Sequence, residues 1–136
     1  ITKKHSSFVF LFGIFTDIEC SVTPKEVMHC EKCNKCVEVC PTSLNDKSLC
    51  LSAITQKKGD LTETEVKLIS RSKCAWGCDI CQEVCPMNKN SSLTNITEFI
   101  NSYKDNYEEN EDIKKRAYAW RGEKVIKRNF EILNKK

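Results

Sequence analysis

The stretch HCEKCNKCVEVCP, residues 29–41, places four cysteines within eleven positions and sets a proline behind the last. Thiols this close cannot all pair as disulfides, which need Cα atoms several ångströms apart and facing Cβ vectors. They suit a metal centre, whose ligands converge on one point. The spacing Cys30-x2-Cys33-x2-Cys36-x3-Cys40-Pro41 is the bacterial run for iron–sulfur ligation. A second set, Cys78-x2-Cys81-x3-Cys85-Pro86, aligns with the first by its Cys-Pro ending and matches Cys33, Cys36 and Cys40. Ala75 stands where Cys30 stands in the first set, so the repeat is one ligand short.

Two cubane clusters need eight thiolates, and the two sets supply seven. In proteins with two such clusters the fourth cysteine of each run ligates the other cluster. The reason is local: three thiolates on one tight loop cover one corner of a cube, and the proline then sends the chain elsewhere. This logic gives Cys30, Cys33, Cys36 and Cys85 to one cluster, and Cys40, Cys78 and Cys81 to the other. Cys20, Cys50 and Cys74 compete for the eighth place. Cys74 is nearest but out of register. Cys50 lies in SLCLSAIT, where a short helix would return it beside Cys40, and spacing favours it. Cys20 is isolated, and a free cysteine is often merely buried. Zinc is the rival metal, because Cys-x2-Cys pairs also form zinc knuckles. Three cysteines at consecutive x2 spacing and two Cys-Pro endings favour iron and sulfide.

The 136 residues amount to about one domain, and a net charge of +3 alone says nothing about nucleic acid. No secretory leader precedes the cysteines, and the apolar run FVFLFGIF (8–15) is too short to span a bilayer. The ten cysteines therefore read as reduced, cytoplasmic and metal-bearing. The start ITKKHSS lacks an initiator Met, which reads as a segment of a longer protein. The expected organisation has three parts. Residues 1–23 end a preceding domain and hold one buried strand over Phe8–Phe15. Residues 24–90 form the double-cluster domain, and residues 91–136 a C-terminal helical region. The fold class is mainly α: a ferredoxin-like double 4Fe–4S module with flanking C-terminal helices and a short N-terminal strand. Thr62-x-x-Glu65 is a capping box opening a helix with Val66, Leu68 and Ile69. Residues 88–94 read as a polar linker. Ile113, Ala117 and Trp120, then Val125, Ile126, Phe130 and Leu133, recur at helical spacing, with Gly122 between the two groups.

The blocks HCEKCNKCVEVCPTS, CLSAITQKKGDL and WGCDICQEVCPMNKN resemble, in that order, the iron–sulfur half of the epoxyqueuosine reductases. The closing WRGEKVIKRNFEIL resembles that family's C-terminal helical region, and SSFVFLFGIFTDIE the segment entering its cluster domain. The resemblance implies Cys30, Cys33, Cys36 and Cys85 on one cluster, with Cys40, Cys50, Cys78 and Cys81 on the other. It implies cobalamin beside the second cluster, reduced by electrons relayed through both. The reduced cobalt attacks the epoxide carbon of epoxyqueuosine in tRNA, and loss of the oxygen gives queuosine. The catalytic acid belongs to an N-terminal domain, so this segment alone is expected to be inactive.

By the same resemblance Gln56 faces the cobalamin or tRNA. Asp79, between Cys78 and Cys81, brings its backbone to the corrin or serves only the turn. Lys57 and Lys58 face cobalamin or tRNA, and Lys114, Lys115, Arg116, Arg121, Lys124, Lys127 and Arg128 are offered to tRNA phosphates. The expected partners are tRNA and an electron donor of ferredoxin or flavodoxin type, with no membrane and a monomeric chain. His29 reads as a neighbour of the ligands, and Trp76 and Trp120 read as packing side chains.

Overall fold

The computed structural model describes residues 1–2, 4–19, 21, 28–42, 47–102, 107–108 and 111–135. Cys20, residues 43–46 of the Cys40–Cys50 connection and the C-terminal Lys136 lie outside the described residues. Regular structure among the described residues is helical, apart from one isolated antiparallel bridge between Thr2 and Ser6. The α-helices are α1 (Lys35–Glu38), α2 (Leu51–Thr55), α3 (Glu63–Ser72), α4 (Ile80–Glu83), α5 (Thr97–Asn101) and α6 (Glu123–Asn134). No described helix is long and apolar enough to cross a membrane.

The core forms where three helices meet. Leu51 and Ile54 of α2 pack with Ile69 of α3, all at most 2% exposed, and Ile132 and Leu133 of α6 close over them. Cys74 and Cys78 pack against the same cluster, so the second cysteine loop rests directly on the core. The capping box starts α3 as its residues require. The Thr62 N–H donates to Glu65 Oε2 at 2.7 Å, and the Glu65 N–H donates to Thr62 Oγ1 at 3.3 Å. Lys57 Nζ adds two bonds to the same carboxylate, at 2.8 and 3.0 Å. That ammonium, with the Thr62 N–H second, holds the buried Glu65 carboxyl below its ordinary range.

α6 starts at Gly122, whose φ of +91° with ψ of 157° strains any residue with a Cβ. The helix buries Val125, Ile126 and Asn129, as the apolar spacing requires. Asn129 is fully buried, and its amide joins three elements. Nδ2 donates to Thr55 O at 2.7 Å and to Ala75 O at 2.8 Å, while Oδ1 accepts from the Arg128 guanidinium.

Three expectations are corrected. Phe8–Phe15 forms no strand: Phe10, Leu11, Phe12 and Phe15 are each at least 85% exposed. A strand needs a neighbour for its backbone groups, and none of the described residues pairs with this run. Residues 113–121 are not one helix but two 3₁₀ turns, Ile113–Lys115 and Ala119–Arg121. Arg116 breaks them in an extended conformation, held by bonds from its guanidinium to Ser102 O and Glu111. Asn88 is no linker residue. It is buried, donating to Gln82 O at 2.7 Å and to Ser7 Oγ at 2.8 Å. Trp76 packs edge-on against both Tyr118 and Trp120, as expected of packing side chains, and Trp120 keeps 62% exposure.

Replacing Asn129 by Ala strands two buried carbonyls, a loss of about 1–3 kcal/mol in chemical denaturation. A Glu65→Gln variant tests the capping box through pH. The native carboxylate stabilises the fold above its ordinary pKa of about 4.3, and that contribution fades as pH falls through its lower folded value. The melting-temperature gap between wild type and variant is therefore wide at neutral pH and closes on acidification.

Candidate metal centre

The two cysteine sets fold into matching loops. Lys32, just before Cys33, has φ +55°, and Gly77, just before Cys78, has φ +71°. Each left-handed residue turns the backbone so that the next cysteine precedes a short helix. α1 runs from Lys35 to Glu38 behind Asn34, and α4 from Ile80 to Glu83 behind Asp79. Cys36 and Cys81 thus occupy equivalent positions within the two helices. Val39 and Val84 end the helices, and Cys40 and Cys85 follow. At the second ending Cys85 is extended and Pro86 opens a 3₁₀ turn, where its missing N–H costs nothing. α1 packs against α4, so the repeated loops lie side by side.

None of the nine described cysteines is in a disulfide. Cys30 and Cys33 are exposed on the way into α1, and the other seven are half-buried. Burial pushes the Cys81 thiol up, and negative charge on Cys40, Cys36 and Cys50 pushes it further. Burial also raises Cys78, with Cys74, Cys81 and Cys50 adding to the effect. Cys36, Cys40, Cys50, Cys74, Cys78 and Cys81 therefore form one electrostatic neighbourhood, with Cys74 acting on Cys78 and Cys36 on Cys81. Among the described residues no three Cys, His, Asp or Glu side chains close on a single-ion site. The donor set itself fits an iron–sulfur cluster, since soft thiolates clustered on tight loops need cationic iron to offset their repulsion.

Cys50 and Cys74 differ in what surrounds them. Cys50 is the N-cap of α2 and lies within electrostatic reach of both Cys78 and Cys81. Cys74 turns its thiol to its own loop, donating to Gly77 O at 3.0 Å, and burial raises it. The Gly77 N–H donates to Thr55 Oγ1 at 3.0 Å, which ties the second loop to the end of α2. Gln56 follows Thr55 directly, and Asp79 lies two residues after Gly77. Gln56 Nε2 donates to Ser52 Oγ at 3.1 Å, and Asp79 Oδ1 accepts from Gln82 Nε2 at 2.5 Å.

Sequence reasoning missed a hook formed by the N-terminus. Ser6 Oγ donates to Met87 O at 2.5 Å, and the Ser7 N–H donates to Asn88 Oδ1 at 3.0 Å. Ser7 Oγ also bonds Gln82 Oε1 at 2.9 Å, which links the hook to the ligand helix α4. Two adjacent serines before an apolar run carry no signal of such a role. The partners lie 75 and 81 positions away.

Residues 29–88 match the model of the 4Fe-4S double cluster binding domain family. The chain is 34% identical over 110 residues to the epoxyqueuosine reductase of Atelocyanobacterium thalassa, covering 73% of this chain and 35% of that protein. It is 30% identical over 152 residues to the epoxyqueuosine reductase of Listeria monocytogenes, covering 98% of this chain and 39% of that protein. It is 40% identical over 96 residues to that of Bacillus subtilis, covering 65% and 24%. No solved structure matches. The chain thus spans well under half the length of these relatives. With its double-cluster domain and this similarity along nearly its whole length, the chain belongs to the epoxyqueuosine reductase family.

Proposed function

We propose that this chain is the electron-relaying part of an enzyme that reduces epoxyqueuosine to queuosine in tRNA. The observation that carries the reading is the pair of equivalent cysteine loops lying side by side, with Cys50 beside the second. Two 4Fe–4S clusters and a cobalamin, when bound, supply one-electron relay and a reduced cobalt that attacks the epoxide.

The residues of this chain hold and shield those groups. Cys30, Cys33, Cys36 and Cys85 ligate one cluster; Cys40, Cys50, Cys78 and Cys81 ligate the other. Exposure of Cys30 and Cys33 opens the first cluster to a protein donor of ferredoxin or flavodoxin type. The second set rests on the apolar core, which keeps water from it. Gln56 and Asp79 would face the corrin, and the Thr55–Gly77 bond ties together the two segments that carry them. Asp79 is exposed there, and its carboxylate is oriented by Gln82.

Lys114, Lys115 and Lys124 are exposed cations for tRNA phosphates. Arg116 and Arg128 serve the fold instead, bonding Ser102 O and Gly59 O respectively. The working form is a cytoplasmic monomer joined to the cobalamin-binding and catalytic parts of the enzyme.

Iron and acid-labile sulfide measured on anaerobically purified chain test the reading. Two 4Fe–4S clusters give eight of each per chain and a brown colour that dithionite bleaches. A colourless product holding zinc overturns it. Cys50→Ala is expected to keep one cluster, about four irons, whereas Cys74→Ala keeps both. The reverse pattern would assign the eighth ligand to Cys74.

A further inference from the structure

We infer that Trp120 and Arg121 form a stacking platform for one unpaired base of an RNA strand, set beside the second cysteine loop. The inference rests on the tRNA reading above and adds to it a site that the phosphate contacts do not supply.

Trp120 is a large aromatic left 62% exposed, although Trp76 and Tyr118 beside it are half-buried. Its ring is held rather than loose. Trp76 meets it edge-on, at 6.5 Å between centroids and 85° between planes, and Tyr118 meets Trp76 in the same way at 5.9 Å. The Arg121 guanidinium lies over the Trp120 ring, with Cζ 3.9 Å from the centroid. Arg121 Nε is buried without a hydrogen-bond partner. Arg116 and Arg128 by contrast donate to Glu111 and Gly59 O.

A rigid indole carrying a guanidinium is the chemistry that receives a splayed-out base. The base stacks on the ring face that Arg121 leaves uncovered, and the guanidinium on the other face adds positive charge for the adjoining phosphate. Acidic or apolar peptides use one half of this pair but not both. Exposed Lys124 lies three residues from Arg121 and adds charge for a strand that continues past the platform. Trp76 is two residues from the ligand Cys78, so a base on Trp120 brings neighbouring nucleotides to the cluster-bearing side of the chain.

The test is fluorescence anisotropy of the cluster-loaded chain with a labelled RNA hairpin with an open loop and with a blunt RNA duplex of equal charge. Trp120→Ala is expected to weaken hairpin binding by about fivefold to a hundredfold, the range for one lost base stack. Duplex affinity and the salt slope stay unchanged, because no phosphate contact is lost. Trp120→Phe restores most of the hairpin affinity, and iron content in both variants equals wild type. Hairpin affinity unaltered in Trp120→Ala, while wild type binds the hairpin, overturns the platform and leaves the tRNA reading intact. A wild-type chain that binds neither RNA removes both. Equal losses on hairpin and duplex would also overturn the platform, since they mark a charge or folding effect.

Discussion

The buried amide of Asn129 is the point on which the arrangement of the metal loops depends. Two hydrogen bonds from one NH₂ group fix the end of α2 and the start of the second cysteine loop to α6. The Gly77–Thr55 bond then repeats the tie one residue pair further on. Cys50 opens α2 and Cys78 follows Gly77, so these bonds set the separation of two candidate ligands that lie 28 positions apart in the chain. The apolar core beneath is small, and Leu51, Ile54 and Ile69 provide a surface without directionality. Direction comes from the polar atoms, which are satisfied only in one arrangement.

Much of this was legible in the order of the residues, and what was legible shares a cause. The Cys-Pro repeats, the Thr62–Glu65 box and the apolar face of α6 are local patterns, each complete within one or two turns. The equivalence of α1 and α4 follows from the same spacing read twice. Features made by distant residues were not legible. Asn129 in a charged helix reads as a surface residue until its partners at positions 55 and 75 are known. Asn88 read as linker because its partner Ser7 is 81 positions away. Trp120 packs as read, but its exposure was not legible, because composition cannot tell a held, exposed ring from a buried one.

The failed strand is informative in another way. Phe8–Phe15 has the composition of a strand buried on both faces, and the described residues offer it no sheet. Its N-terminal end is nonetheless fixed, because Ser6 and Ser7 fasten to Met87, Asn88 and Gln82. An apolar run is thereby carried on the same turn that follows Cys85. That run is joined to α4 through the bonded side chains of Ser7, Asn88 and Gln82.

The paired loops also differ in backbone cost. The first turns at Lys32 and again at Asn34, both left-handed, while the second makes its matching turn with Gly77. A left-handed lysine stores about 1–3 kcal/mol that a glycine does not. The first loop resembles a bent spring clipped shut by its inorganic guest, and the second a part cast in its final shape. Oxidative damage that stripped both would leave them unequal, because the first loop holds strain it could release and the second turns on a residue that carries none.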